Sequence, residues 1–367
     1  MKNFLLMLCA TFFALGVAEL SLRYLPIVDL NFKPYRPYYP TDRFSYRYHH
    51  GPAAFEDFRI VQPAEGDGCP SPPSTRIRIL FLGDSWMEPD GIPLGVSDYL
   101  KTRTNPCVCA QLINGGATSF SPSLYMLAGE ELAAKYHPDF VVVNVDETDL
   151  MDESLRYKKT ALRDAQGKLE RVVPDVTDLM WVYGHVTLEQ QPLYTLRLIE
   201  SVYFRYVLMP RLRKLYLGQP ERIGYDQLMA PQLSKEPRVQ YAGEVAYFEQ
   251  TLDEMFERLS AAIGSPDRLL VTHHPHYLHL ASSGGSQRYN HIVSEIVADE
   301  AKKYRVEYYD AETDIHAMYA DDFARFFLWP KDPFSHLTAE GLRRYGFFVG
   351  KALLNGRALP PADDACH

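Results

Sequence analysis

One stretch limits what this chain can fold into more than any other. Arg76-Ile77-Arg78-Ile79-Leu80-Phe81-Leu82 is an apolar run that stops abruptly at Gly83-Asp84-Ser85. Its length fits a buried parallel strand, bounded by the Pro-rich segment Pro70 to Pro73 before it and by Gly83 after it. A parallel strand must be covered on both faces, so helices have to follow. The chain supplies them. A short helix is expected near Val96 to Arg103, a strand over Val108 to Ile113, a helix over Pro122 to Tyr136 and a strand over Phe140 to Val145. The pattern resumes with a helix over Tyr241 to Ala262, a strand over Arg268 to Thr272, a helix over Tyr289 to Lys303 and a strand over Val306 to Tyr309. The fold class implied is α/β, a three-layer α/β/α sandwich on a mostly parallel five-stranded sheet. Right-handed crossovers would bring Ser85, Ser119 and Thr148 to one rim, where open sheets hold their ligands.

A serine at that rim needs a base, and a neutral imidazole needs a partner to fix its tautomer. Both are offered far along the chain in Asp332-Pro333-Phe334-Ser335-His336, ahead of the amphipathic run Leu342 to Leu354. Ser85, His336 and Asp332 thus form a candidate nucleophile, base and orienting acid. Asp310, at the end of the last strand, is an alternative partner for His336.

These residues resemble the four motif blocks of the SGNH/GDSL hydrolases, in the family's order, from about Arg76 to Leu354. Gly83-Asp84-Ser85 matches the first block and Asp332 with His336 the last, although one extra residue separates the pair here. Asn114-Gly115-Gly116-Ala117-Thr118-Ser119 is similar to the second block, with Ser119 at the family's oxyanion glycine. Asp146-Glu147-Thr148-Asp149 is similar to the third, with Thr148 at the oxyanion asparagine. The resemblance implies an oxyanion hole built from Ser85, Ser119 and Thr148, and no cofactor. It also implies an ester substrate, an acylated small molecule or polysaccharide of the envelope. Hydrolysis and acyl transfer both fit. So does a carbohydrate-binding or assembly protein that keeps the fold without turnover, because two donor positions are altered.

The remaining chain adds boundaries. Phe4 to Val17 is apolar behind Lys2 and reads as a signal peptide or, extended past Glu19 and Arg23, as an uncleaved membrane anchor over residues 1–25. Either reading makes the protein extracytoplasmic, periplasmic or secreted. Residues 26–73 are Tyr- and Pro-rich and are expected to run as extended chain. The hydrolase-like domain covers 74–357, with an insertion at about 151–238 and a floppy tail at 358–367. Within the insertion, Asp164-Ala165-Gln166-Gly167 signals a hairpin between Leu155 to Arg163 and Lys168 to Val173, and Pro192 to Leu217 reads as a basic amphipathic helix. A net charge of -9 without a basic face argues against nucleic acid. Export would permit pairing among Cys69, Cys107, Cys109 and Cys366, and free thiols fit equally. Asn114 and the paired His273 and His274 are expected to line the substrate pocket. The irregular run of His273, His274, His276 and His279 is no recognised ligand set, so no metal is expected.

Overall fold

The computed structural model describes residues 2–24, 38–39, 47–48, 59–61, 75–103, 108–173, 193–203, 207, 242–274, 292–328 and 336–355. They fall into two compact units. The smaller contains helix α1 (Lys2–Tyr24), the paired strands β1 (Tyr38–Tyr39) and β2 (Arg47–Tyr48), and a helix at Tyr194–Tyr203. Glu19 of α1 accepts hydrogen bonds from the backbone N–H groups of Tyr194 and Thr195, both at 2.9 Å, capping the second helix.

The larger unit is built on a six-stranded sheet. Its strands are β3 (Arg59–Val61), β4 (Thr75–Leu82), β5 (Val108–Asn114), β6 (Phe140–Asp146), β9 (Leu269–His274) and β10 (Glu307–Asp310), in the order β10-β9-β6-β4-β5-β3. Five are parallel, as the strand-helix alternation implies; β3 is antiparallel to β5 at the edge. Within 26–73 the described residues are all strand, β1, β2 and this edge strand β3, whose three residues between turn-forming sequence carry no visible period. Strands β7 (Ala161–Arg163) and β8 (Leu169–Val172) form the expected hairpin, shorter than predicted. The preceding residues instead coil into α4 (Asp149–Met151) and a π-helical turn, Asp152–Tyr157.

Strand alternation makes the layers. Ile77, Ile79 and Phe81 share one core with Ile92 and Val96 of α2 (Gly91–Arg103) and with Tyr345 and Val349 near the C-terminus. Leu82 points the other way. There a Cβ on Gly129 of α3 (Pro122–Tyr136) would strike Leu82 and Leu259 of the helix Ala242–Ile263. In chain order α5 is Tyr194–Tyr203, α6 Ala242–Ile263, α7 Ile292–Tyr304, α8 Glu312–Phe326 and α9 Ala339–Leu353. Side chains such as Ile77 and Leu80 are fully buried and each contributes roughly 1.5–3 kcal/mol. Helix α8 is absent from the sequence reading. Acidic residues interrupt its apolar period, and the backbone is non-helical at Asp322. Helices α2 and α9 cross backbone to backbone, since a Cβ on Gly346 would drive into the carbonyl of Ile92. This fixes α9, and α9 fixes the approach to His336.

Candidate active site

The Ser85 turn is built by close approach. A Cβ on Gly83 would lie 2.7 Å from that of Met87 and 3.1 Å from that of Asn144, so only glycine lets β4 end here. The Asp84 carbonyl accepts the N–H groups of Met87 and Glu88, and the Asp84 carboxyl accepts that of Trp86 at 3.0 Å. Ser85 is left half-buried at the strand's carboxyl end. Its Oγ lies 2.7 Å from Nε2 of His336, 251 residues away, and 3.1 Å from Asp84 Oδ2. His336 is held by its own backbone. Phe327 and Leu337 form an antiparallel bridge, the His336 carbonyl accepts the Leu328 N–H at 2.9 Å, and Thr338 caps α9 by accepting the Gly341 N–H.

With Nε2 turned to Ser85, Nδ1 is the atom an orienting carboxylate would take. Asp332 lies outside the described residues. The alternative, Asp310, is engaged elsewhere. It accepts from the Ser294 hydroxyl at 2.8 Å and the Glu312 N–H at 2.9 Å, and lies 3.9 Å from Nδ1 of His273.

Three expected substrate contacts are corrected by burial. Asn114 is fully buried, its amide donating to the carbonyls of Met87 (3.0 Å) and Glu88 (3.2 Å) while its Oδ1 accepts the Gly116 N–H (2.9 Å). It ties the end of β5 to the Ser85 turn. His273 and His274 are each 1% exposed and, as neighbours on a strand, point to opposite faces. His274 stacks on Trp86 at 3.7 Å and 21°, with Nδ1 3.1 Å from the Asn144 amide. It supports the Ser85 turn from beneath.

The loops after β5 and β6 complete the rim. Thr118 donates to the Glu88 carboxylate through its N–H (2.8 Å) and hydroxyl (2.6 Å). Ser119 takes a left-handed φ of 59°, the conformation that favours the glycine it replaces. Among the described residues the Ser119 N–H donates to no acceptor, while its carbonyl accepts the Tyr157 hydroxyl at 2.5 Å. Thr148 corrects expectation. Its hydroxyl and N–H donate to Asp146 Oδ1 at 2.6 and 2.8 Å, so its proton is directed at that carboxylate.

Carboxyls crowd the floor of this rim. Burial pushes Asp84 up to about 6, against the lowering N–H of Trp86 and hydroxyl of Ser85. Burial also raises Asp146 and Asp149 well above the carboxylate range, reinforced by the charge of neighbouring carboxylates. Among the described residues no group of three His, Cys, Asp or Glu side chains is arranged to hold a metal. A surface cleft of about 580 Å³ beside α2, α8 and α9 includes neither Ser85 nor His336 in its lining, and its Arg325–Glu340 and Arg343–Asp98 pairs satisfy each other. Residues that sequence reasoning missed are Trp86, Glu88, Tyr157 and Tyr345, the last donating its hydroxyl to Asn144 Oδ1 at 2.8 Å. Only Trp86, beside the serine, carried a local signal.

The architecture is the one that the SGNH/GDSL resemblance implies. No family model and no curated protein matches the chain. Among solved structures it is similar to an acetylxylan esterase from Geobacillus stearothermophilus, at 11% identity over 76% of this chain and 94% of that one, with a TM-score of 0.37. A lipase/acylhydrolase from Enterococcus faecalis is 10% identical over 75% and 94%, with a TM-score of 0.38. A two-domain esterase active on acetylated mannans is 12% identical over 79% of this chain and 53% of its own, also at 0.38.

Proposed function

We propose that this protein is a serine esterase of the SGNH/GDSL type acting on O-acyl groups, with acylated polysaccharide as its substrate class. The observation that carries the reading is the 2.7 Å approach of His336 Nε2 to Ser85 Oγ. In this reading the Ser85 proton passes to Nε2 as Oγ attacks the acyl carbon. The Ser119 N–H, with that of Ser85, takes the charge of the tetrahedral oxygen. His336 then returns the proton to the leaving alcohol. Water, deprotonated by the same imidazole, releases the acid and restores Ser85; a sugar hydroxyl in its place would make the step a transfer. Asp332 is proposed to hold Nδ1.

A fluorophosphonate probe tests this directly. It should label the wild-type chain and leave Ser85→Ala and His336→Ala unlabelled, with either substitution abolishing ester cleavage and the pair hardly worse than one. Cleavage by Ser85→Ala at the wild-type rate would end the reading. Absence of labelling in the wild type would favour the second reading, a binding protein without turnover, which the engaged Thr148 hydroxyl supports.

We propose further that the chain acts outside the cytoplasm, attached to a membrane through α1. Residues 3–18 carry no charge, and the Glu19 carboxylate is taken up by the N-terminus of α5. Phe13, Leu20 and Tyr24 of α1 and Ile199 of α5 are exposed. Among the described residues no helix is long and apolar enough to cross a membrane, so the proposal is of attachment. Recovery of the full chain in the membrane pellet of a low-salt lysate is the expected result; recovery wholly in the supernatant would refute it.

A further inference from the structure

Ser119 poses a physical problem. An L-residue in the left-handed region is disfavoured, because its Cβ crowds the following carbonyl. Yet in the proposed mechanism this residue must present its N–H in one fixed direction. Glycine would take that conformation without penalty. A serine here needs something to hold it.

The π-helical turn Asp152–Tyr157 supplies the hold. Its defining i to i+5 bond runs from the Lys158 N–H to the Glu153 carbonyl at 2.9 Å. The wide turn sets Glu153 and Tyr157 against one segment, 119–123. Tyr157, 1% exposed, donates its hydroxyl to the Ser119 carbonyl at 2.5 Å. Glu153, fully buried, accepts from the Ser121 hydroxyl (2.6 Å), the Ser123 N–H (2.9 Å) and the Ser123 hydroxyl. The loop is thus pinned at its strained residue and again where α3 begins. Single π-turns of this kind recur at functional sites.

We propose that Tyr157 and the π-helical turn that carries it are a positioning device for the oxyanion donor, holding Ser119 in a left-handed conformation that its own side chain opposes. Tyr157 touches no reacting atom. It acts through the Ser119 carbonyl, which lies across the Ser119 Cα from the N–H: holding that carbonyl restricts ψ of Ser119 and so keeps the residue in the left-handed basin. The inference rests on the esterase reading for its catalytic meaning, whereas the mechanical link between Tyr157 and Ser119 does not.

The test pairs Tyr157→Phe, which keeps the ring and removes only the hydroxyl, with Ser119→Gly and Ser119→Ala. Single-turnover acylation by p-nitrophenyl acetate should slow about 5- to 30-fold in Tyr157→Phe, the population ratio implied by the cost of a left-handed L-residue. Half-saturation should not change. In the Ser119→Gly background the same substitution should cost little, because glycine holds the conformation unaided; in Ser119→Ala it should cost as much as in the wild type. The alanine arm separates the backbone from the lost hydroxyl. Equal slowing in the glycine and alanine backgrounds, or none in either, would overturn the proposal. If the wild type forms no acyl-enzyme, the esterase reading falls and thermal unfolding decides the link. Tyr157→Phe must then lower Tm less in the Ser119→Gly background than in the Ser119→Ala background, and equal losses would overturn it.

Discussion

The loops that leave β5 and β6 end at the same rim of the sheet but spend their hydrogen-bond donors in opposite ways. After β6, the N–H groups of Thr148 and Asp149 and the Thr148 hydroxyl all converge on Asp146 Oδ1. That is an Asx-type turn, closed on itself. After β5, the Thr118 donors are also taken, by Glu88, but the next residue, left-handed Ser119, keeps its N–H unspent among the described residues. A strand end therefore becomes a site where the backbone is prevented from satisfying itself. Where it is allowed to, the same position only begins a helix.

Substituting the two loops in parallel tests this contrast. Ser119→Pro removes the N–H and imposes a φ near -65°, so acylation should fall by about a hundred- to a thousandfold, the loss expected for one oxyanion donor. Thr148→Val should leave the rate within a few fold and lower stability by about 1 kcal/mol through the lost hydrogen bond to Asp146. A large rate loss in Thr148→Val with Ser119→Pro still active would exchange the roles of the two loops.

A second, smaller effect separates the loops by charge. Asp146 and Asp149 after β6, with Asp84 beside Ser85, have folded-state values raised by burial, Asp84 to about 6. A carboxyl raised on folding holds its proton in the native state over a range where the unfolded chain has lost it. Its stabilisation is fully present below about pH 4 and is lost as pH rises through the folded value. Tm should therefore fall as pH rises from about 4 through the folded value of about 6 for Asp84, and Asp149→Asn, which removes one of these groups, should flatten the slope. A Tm that rises over that interval would show that the cluster does not govern stability.

The individual elements were largely legible. Pro122–Tyr136 was readable end to end because Pro122 occupies the first turn and the apolar period is unbroken. The parallel strands were readable because each is a continuous apolar run, the mark of a sheet buried on both faces. Helix α8 was not, since its acids break the period, nor was β3, whose three residues are strand only because β5 lends them an edge.

At the site, sequence alone determined which residue types must meet. A serine ending a strand and a histidine leading into a terminal helix are local patterns, and local patterns survive in a one-dimensional string. Only the tertiary structure decided what each polar group does, because a hydrogen-bond donor has few protons and the winner among possible acceptors depends on distance. Asn114 was drawn inward to the Met87 and Glu88 carbonyls, and His274 slid beneath Trp86. The Thr148 hydroxyl went to Asp146, and Asp310 settled with Ser294. Of Ser119 and Thr148, only Ser119 keeps its backbone N–H without an acceptor among the described residues. The reason is a φ of 59° and a tyrosine 38 residues away, neither of which any pattern of neighbouring residues encodes.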